Sequence, residues 1–106
     1  MIFLTTLQDI ETFITTHSPC ALLFMDELCI DCQRILPDLR TLEETLEPLS
    51  VAAVWRKDVP QFIKHYNIYG VPSIILYRHA HEITRWVDRT PKKIEQCIRF
   101  IQKHTE

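Results

Sequence analysis

Residues 20–37 read CALLFMDELCIDCQRILP, and this stretch is the most informative about the fold. It joins an unbroken apolar run, typical of a strand covered on both faces, to a segment with helical periodicity. Cys29 and Cys32 lie where the two segments meet. Residues i and i+3 face the same side of a helix, so these thiols can close a disulfide with little movement of the backbone. The free N–H groups and partial positive charge of a helix N-terminus favour the thiolate of Cys29.

On both sides of this stretch, short apolar runs alternate with amphipathic segments, which predicts an α/β fold. The predicted strands cover residues 2–4, 20–25, 50–55, 73–77 and 83–87. The predicted helices cover residues 7–16, the segment from the cysteines to Pro48, residues 60–66, and a last helix to about residue 104 that Thr90 and Pro91 cap. Pro37 is expected to kink the long second helix, because proline removes a hydrogen bond and clashes with the preceding turn.

The bulk composition limits the classes of function. A chain of 106 residues is expected to form a single domain over residues 1–106. Its net charge of −2 does not predict the positively charged surface that binds nucleic acid or anionic membrane. Residues 1–10 lack the basic and apolar regions of a signal peptide, and no segment approaches the ~20 apolar residues of a membrane span. We therefore expect a cytoplasmic monomer without nucleic acid or membrane partners.

The four cysteines leave a metal site as an alternative. A zinc site would use Cys29 and Cys32 with Cys20, Cys97 or two of the five histidines. The sequence contains no second C-x-x-C and no H-x-x-x-H pair to complete such a site. In a reducing cytosol, one working pair with two packing cysteines fits better, so we expect neither a metal nor another cofactor.

Two further features carry a resemblance to a known family. Pro37 follows Cys32 by five residues, and residues 66–73 read YNIYGVPS, with Val71-Pro72 just before the fourth strand. Over nearly its whole length the chain resembles the thioredoxin-like family, in which the second of these stretches reads YGIRGIPT. The resemblance implies a thioredoxin fold, a five-stranded mixed β-sheet flanked by four helices in the order β-α-β-α-β-α-β-β-α. It also implies a cis Pro72 against the dithiol, with Val71 offering backbone groups to a substrate.

The resemblance implies thiol–disulfide exchange, in which Cys29 attacks a substrate disulfide and Cys32 resolves the mixed disulfide. The implied partners are a disulfide-containing protein or small disulfide and a thiol or flavoprotein reductant, within cell redox homeostasis. The residues expected to contact substrate are Leu28, Ile30, Val71, Pro72 and Asp88. Three nearby carboxylates, of Asp26, Glu27 and Asp31, disfavour a thiolate, which predicts a reductase rather than a strong oxidant.

The chain departs from the family pattern at several positions. The family's WCGPCK is LCIDCQ at residues 28–33, its buried aspartate is Leu23, and the lysine partner of that aspartate is Ala53. Loss of both is physically coherent, because removing one would leave an unpaired buried charge. Asp88 replaces the glycine that keeps the family's substrate groove open. These changes favour a narrow activity, or alternatively an interaction module or redox sensor for one specific partner.

Three charged residues remain: Asp31 within the motif, and Lys92 and Lys93. Asp31 either relays a proton to Cys32 through water as a general base, replacing the missing acid, or simply favours the helix N-terminus. Both interpretations are open at this point. Lys92 and Lys93, at the start of the predicted last helix, are expected to be a solvated charge pair.

Overall fold

The computed structural model describes residues 1–88 and 90–105, and within them five strands form one mixed sheet. The strands are β1 (Ile2–Phe3), β2 (Cys20–Met25), β3 (Ser50–Trp55), β4 (Ser73–Arg78) and β5 (His81–Trp86), in the spatial order β1-β3-β2-β4-β5. β3 is parallel to both β1 and β2, whereas β4 is antiparallel to both β2 and β5. The predicted five-stranded mixed sheet is confirmed.

Four helical regions flank this sheet. They are α1 (Leu7–Thr16), the region of α2 (Ile30–Ile35) and α3 (Leu39–Leu46), then α4 (Pro60–His65) and α5 (Ile94–His104). A 3-10 turn at Leu36–Asp38 separates α2 from α3, where Pro37 was expected to interrupt the helix. Thr6 caps the N-terminus of α1, and its hydroxyl accepts the N–H of Asp9 at 3.0 Å. Within the described residues, no helix has the length and apolar character needed to cross a lipid bilayer.

The central strand β2 separates two apolar cores. All six of its residues are buried, and their side chains alternate between the two faces of the sheet. Leu23 and Met25 face the core that also contains residues of α2, α3 and α5. Leu22 and Phe24 face the core that contains residues of α1 and α4. The carboxyl end of β2 therefore delivers the cysteine motif to one edge of a sheet that helices cover on both faces.

The start of the last helix was predicted wrongly. α5 begins at Ile94, after Lys93, whose N–H donates to the side-chain oxygen of Gln96 at 2.8 Å. Thr90 does not cap the helix, because its own N–H donates to Asp88 Oδ1 at 3.0 Å. An aspartate that accepts the N–H two residues on stabilises a turn rather than a helix start.

The fifth strand also begins earlier than predicted. Only His79 and Ala80 lie between β4 and β5, and both have positive φ, 52° and 65°. This pattern fits a tight two-residue hairpin, whose left-handed positions are usually taken by glycine or asparagine. The hairpin therefore leaves His81 and Glu82 in the strand rather than in the turn.

Candidate active site

Cys29 lies at the N-terminus of α2 and caps this helix. Its Sγ accepts the N–H of Cys32 at 3.2 Å, and its carbonyl accepts the N–H of Gln33 at 3.0 Å. The thiol is half-buried and lies 3.6 Å from the carbonyl oxygen of Val71. A sulfur that accepts the free N–H of a helix N-terminus is held where negative charge on it is stabilised.

Cys32 lies on the same turn but is fully buried. The pKa of its thiol is raised to about 12, mainly by burial and also by the hydrogen bond with Cys29 and the charges of Cys29 and Asp26, while a backbone hydrogen bond with Asp26 opposes the rise. The two sulfurs are therefore unequal. Cys29 is the accessible sulfur, and Cys32 stays a thiol at neutral pH until a reaction at Cys29 changes its surroundings.

The segment before β4 lies against this pair. The Val71–Pro72 peptide bond is cis, and Pro72 is buried beside the half-buried Val71. The hydroxyl of Ser73 donates to the carbonyl of Gly70, which ties the start of β4 to the preceding loop. The structure thus brings together Cys29 and Val71, two predicted site residues that are 42 positions apart in the sequence.

Two apolar residues share the core of Cys32. Leu23 and Ala53 are buried, pair with each other across β2 and β3, and belong to the same core as Cys32. We call these two residues the floor of the site. They occupy the positions where the family resemblance places an acid and its basic partner, and their direct pairing explains why the two must change together.

Three ion pairs surround the dithiol, and we call them the rim. They are Asp26–Arg56 at 2.7 Å, Glu27–Lys57 at 2.5 Å and Asp31–Arg34 at 3.4 Å. The pKa of Asp26 is lowered by the hydrogen bond from the Leu28 N–H and by that from Arg56. Each carboxylate predicted to oppose the Cys29 thiolate therefore has a cation beside it, which weakens that opposition.

Sequence reasoning missed the cations of all three pairs, although a signal for two of them, Arg56 and Lys57, exists. β2 and β3 are parallel, and their last residues, Met25 and Trp55, are partners in the register. The residues that follow each strand therefore emerge side by side. Asp-Glu follows β2 and Arg-Lys follows β3, so opposite charges meet at both positions.

Asp31 lies in the first turn of α2, where an acidic residue complements the helix dipole. Its side chain is 28% exposed and pairs with Arg34, one turn further along the same helix. The carboxylate whose charge acts on the pKa of Cys32 is that of Asp26. A proton-relay role for Asp31 stays a prediction, and its helix-terminal position is consistent with the simpler interpretation.

The surface next to Cys29 is apolar and open. Leu28 is 93% exposed and Ile30 69% exposed, on either side of Cys29. Tyr69, which sequence reasoning did not single out, is 61% exposed in the segment that leads to Val71. Exposed apolar groups beside a reactive thiol are suited to contact with a partner protein.

Asp88 organises the loop that follows β5. Its carboxylate accepts hydrogen bonds from Trp86 Nε1 at 3.2 Å, the Thr90 N–H and Lys92 Nζ at 3.2 Å, so its contacts with the described residues are to this loop rather than to the dithiol. Lys92 is buried, also donates to the carbonyls of Asp88 and Thr90, and lies 4.8 Å from the centre of the Trp86 ring. The expectation that Lys92 is solvated is therefore wrong.

The remaining cysteines lie apart from this chemistry. Cys20 and Cys97 are fully buried, and burial raises the pKa of each thiol to about 11. Within residues 1–88 and 90–105, no group of three or more His, Cys, Asp or Glu side chains is placed to hold a metal ion.

Comparisons with known proteins agree with this geometry. A family model described as Thioredoxin matches residues 2–102. The chain is 28% identical over 82 residues to the thioredoxin of Chlamydia caviae, which covers 77% of this chain and 78% of that relative. Its fold is similar to the solution structure of oxidised thioredoxin from Plasmodium falciparum, with a TM-score of 0.85, 17% identity, and coverage of 100% of this chain and 99% of that chain. It is likewise similar to the X-ray structure of Fasciola hepatica thioredoxin, with a TM-score of 0.84, 19% identity, and coverage of 98% and 99%.

Proposed function

The chain belongs to the thioredoxin family, and on this premise we propose that it is a reductase of protein disulfides with a narrow range of partners. Thiol–disulfide oxidoreductase chemistry follows from the family and from the closeness of Cys29 and Cys32. The observation that carries the proposal is the position of Cys29 Sγ, between the Cys32 N–H and the Val71 carbonyl. At this position a substrate strand lying on Val71 brings its disulfide to the nucleophile.

The proposed exchange has two steps. The Cys29 thiolate attacks one sulfur of the substrate disulfide, which forms a mixed disulfide and releases the other substrate sulfur as a thiolate. Cys32 then loses its proton and attacks Cys29 Sγ, which releases the second substrate sulfur. Two electrons have passed to the substrate, and the enzyme ends with a Cys29–Cys32 disulfide. A thiol or flavoprotein reductant returns the electrons in a separate exchange.

The proposed substrate surface is formed by Leu28, Ile30, Val71 and Pro72. Two of these side chains are exposed and apolar, and Val71 adds backbone groups to which an extended segment can pair as a further strand. Asp88 stands where the family has a groove glycine, and its side chain is fixed by Lys92. We propose that this added bulk and charge restrict the segments that fit, which narrows the range of substrates.

The direction of transfer rests on the charges near the pair. Asp26, Glu27 and Asp31 are each paired with a cation, so the rim adds no net positive charge that would stabilise the reduced dithiol. A reduced state without such added stabilisation favours a reductase. Consistent with a reductase, we propose that residues 1–106 act as one monomeric domain in the cytoplasm, without cofactor. Within this scheme the proposed role of Asp31 is to pass the Cys32 proton to water.

Trapping is the direct test of the proposed function. A Cys32→Ser variant is expected to accumulate mixed disulfides on Cys29, because the second step is blocked. The matched control, in which Cys29 and Cys32 are both serine, is expected to trap nothing. The wild type is expected to reduce insulin, and its reduction potential is expected to lie below about −230 mV, on the reducing side of the glutaredoxins. A potential near that of an oxidant, about −120 mV, would overturn the assignment as a reductase.

A specialised partner is the second candidate, and the Asp88–Lys92 contact favours it. A redox sensor or interaction module with this groove would form a mixed disulfide with one partner and leave insulin oxidised. Absence of both trapping and turnover would point to an interaction module in which the dithiol is not used.

A further inference from the structure

We propose that Arg56 is a positioning residue for disulfide exchange. Its guanidinium joins the segment before Cys29 to the segment before Pro72, and so sets the distance between Cys29 Sγ and the backbone of Val71. This inference rests on the proposed function, because it concerns how a substrate strand is presented to the nucleophile.

The guanidinium makes two contacts on different loops. Arg56 Nη2 lies 2.7 Å from Asp26 Oδ2, in the loop that leads to the cysteine motif. Arg56 Nη1 donates to the carbonyl of Tyr69 at 3.1 Å, in the loop that leads to Val71 and Pro72. The Arg56 and Asp26 side chains are 27% and 31% exposed, so water and salt screen this pair less than they screen a fully exposed one.

From Asp26 the connection continues to the nucleophile. Asp26 Oδ1 accepts the N–H of Leu28 at 2.9 Å, and the carbonyl of Asp26 accepts the N–H of Cys29 at 3.1 Å. The backbone on which Cys29 sits is therefore fixed by Asp26, and Asp26 is fixed by Arg56. On the other side, Tyr69 is two residues before Val71, whose carbonyl lies 3.6 Å from Cys29 Sγ. The two loops are thus joined twice, by the Arg56 guanidinium and by the contact between Cys29 Sγ and the Val71 carbonyl.

Arginine suits this position for a geometric reason. Its planar guanidinium has five N–H donors in a fixed arrangement, so it can serve a carboxylate and a carbonyl at once. A lysine ammonium is a compact charge that can keep the contact with Asp26 but does not reproduce the fork. The lowered pKa of Asp26 keeps its carboxylate charged at neutral pH, so the contact persists there.

The neighbouring residue provides a matched control. Lys57 belongs to the same turn and pairs with Glu27, but the two side chains are 60% and 52% exposed. The bonds shown for Lys57 reach the loop before Cys29, not the loop before Pro72. Lys57→Ala therefore removes an ion pair of the rim and leaves the connection between the two loops in place.

The test compares two substrates for each variant. Insulin presents its disulfide on a polypeptide, whose backbone can pair with Val71 in the proposed complex, whereas dithiobis(nitrobenzoic acid) is a small disulfide without a backbone. Arg56→Ala is expected to lower kcat/KM for insulin about tenfold, because a small misplacement of reacting groups has large kinetic effects, and to change that for the small disulfide less than about twofold. Arg56→Lys is expected to show a comparable loss on insulin. Lys57→Ala, which changes only the charge near Cys29, is expected to change kcat/KM for both substrates by the same factor.

Two results would overturn the role of Arg56. One is a wild-type rate on insulin in Arg56→Lys, which would mean that the bridge to Tyr69 is dispensable. The other is an equal loss on both substrates, which would mean that the variant damages Cys29 itself. Urea unfolding shows which variants are folded. If Arg56→Ala does not fold, the kcat/KM of Arg56→Lys relative to the wild type tests the proposal. A wild type that fails to reduce insulin would overturn the proposed function instead, so the two failures are distinguishable.

Discussion

The floor and the rim of the site differ in where they place charge. The floor, Leu23 and Ala53, is apolar and buried, whereas the rim contains three carboxylates that each have a cation beside them. A charge on the floor must be fully paired, because burial removes its hydration. A charge on the rim remains partly hydrated, so its stabilisation depends less on its ion-pair partner. In this member of the family, the acidic residues near the dithiol therefore lie outside the sheet.

This difference has a consequence for the proton of Cys32. Leu23 and Ala53 carry no group that exchanges protons, so the proton must leave towards the rim and the solvent. The raised pKa of Cys32 makes this departure a demanding part of the second step. Substitutions at five positions test this contrast between floor and rim, beginning with the one expected to cost the most stability.

Placing an acid alone on the floor is expected to have the largest effect. Leu23→Asp should lower the free energy of unfolding by about 3–5 kcal/mol near pH 7, as an unpaired buried charge does. Burial raises the pKa of that new carboxyl above its unfolded value. The loss should therefore be present at high pH and shrink as the pH falls through the raised pKa. Urea unfolding between about pH 5 and about pH 8 measures this difference.

Leu23→Asn is the control for this experiment, because it adds polarity of the same size without a titrating group. Its loss of stability should not depend on pH in this range. A loss for Leu23→Asp that is equally independent of pH would contradict the view that the floor excludes charge rather than polarity.

Removing the carboxylate of Asp88 is expected to have an intermediate effect. Asp88→Gly takes away hydrogen bonds from Trp86, Thr90 and the buried Lys92, and should cost about 1 kcal/mol of stability after allowance for the exposure of Asp88. If this residue narrows the groove, kcat/KM for insulin should rise while that for a small disulfide stays constant. Asp88→Ala separates the loss of charge from the loss of bulk. An unchanged preference between the two disulfides would remove Asp88 from the substrate surface.

The two acids nearest the motif are expected to differ in their effect on Cys32. Asp26→Asn should lower the pKa of Cys32, because the negative charge of Asp26 contributes to raising it. Asp31→Asn should leave that pKa where it is. Alkylation rates of Cys32 as a function of pH, in a Cys29→Ser background, measure both effects. A larger shift from Asp31→Asn than from Asp26→Asn would mean that Asp31, rather than Asp26, is the carboxylate whose charge reaches Cys32.

The smallest effect is expected for an ion pair far from the site. Arg40 is 88% exposed and pairs with Glu44 one helical turn away, at 2.8 Å. Arg40→Ala should change the free energy of unfolding by less than about 0.5 kcal/mol, as for other exposed pairs at this spacing. A stability loss in Arg40→Ala as large as that in Arg56→Ala would mean that partial burial does not distinguish the rim from the general surface.

The sheet was predictable from sequence for a simple reason. β2 and β3 are unbroken apolar segments, and their observed bounds, Cys20–Met25 and Ser50–Trp55, are those expected from hydrophobicity alone. The start of α5 was not predictable in this way. A Thr-Pro pair usually begins a helix, but the carboxylate of Asp88 takes the Thr90 N–H and the burial of Lys92 holds the segment in a loop.

The site was predictable in part. The closeness of Val71 to Cys29 and Cys32 was implied by the family resemblance that the motifs carry, not by the motifs alone. The pair Asp26–Arg56 was missed because its members are 30 residues apart. It becomes predictable once β2 and β3 are known to be parallel and in register, since opposite charges then follow both strands at the same level.

The hairpin of His79 and Ala80 has a consequence for the denatured chain. Both residues occupy left-handed backbone at a cost of about 1 kcal/mol each, a cost that glycine would avoid. The whole chain of 106 residues contains a single glycine, Gly70. Glycine widens the set of conformations that an unfolded chain explores, so its scarcity reduces the entropy that folding must remove. The hairpin therefore contains strained backbone at His79 and Ala80, while the scarcity of glycine lowers the conformational entropy of the denatured chain.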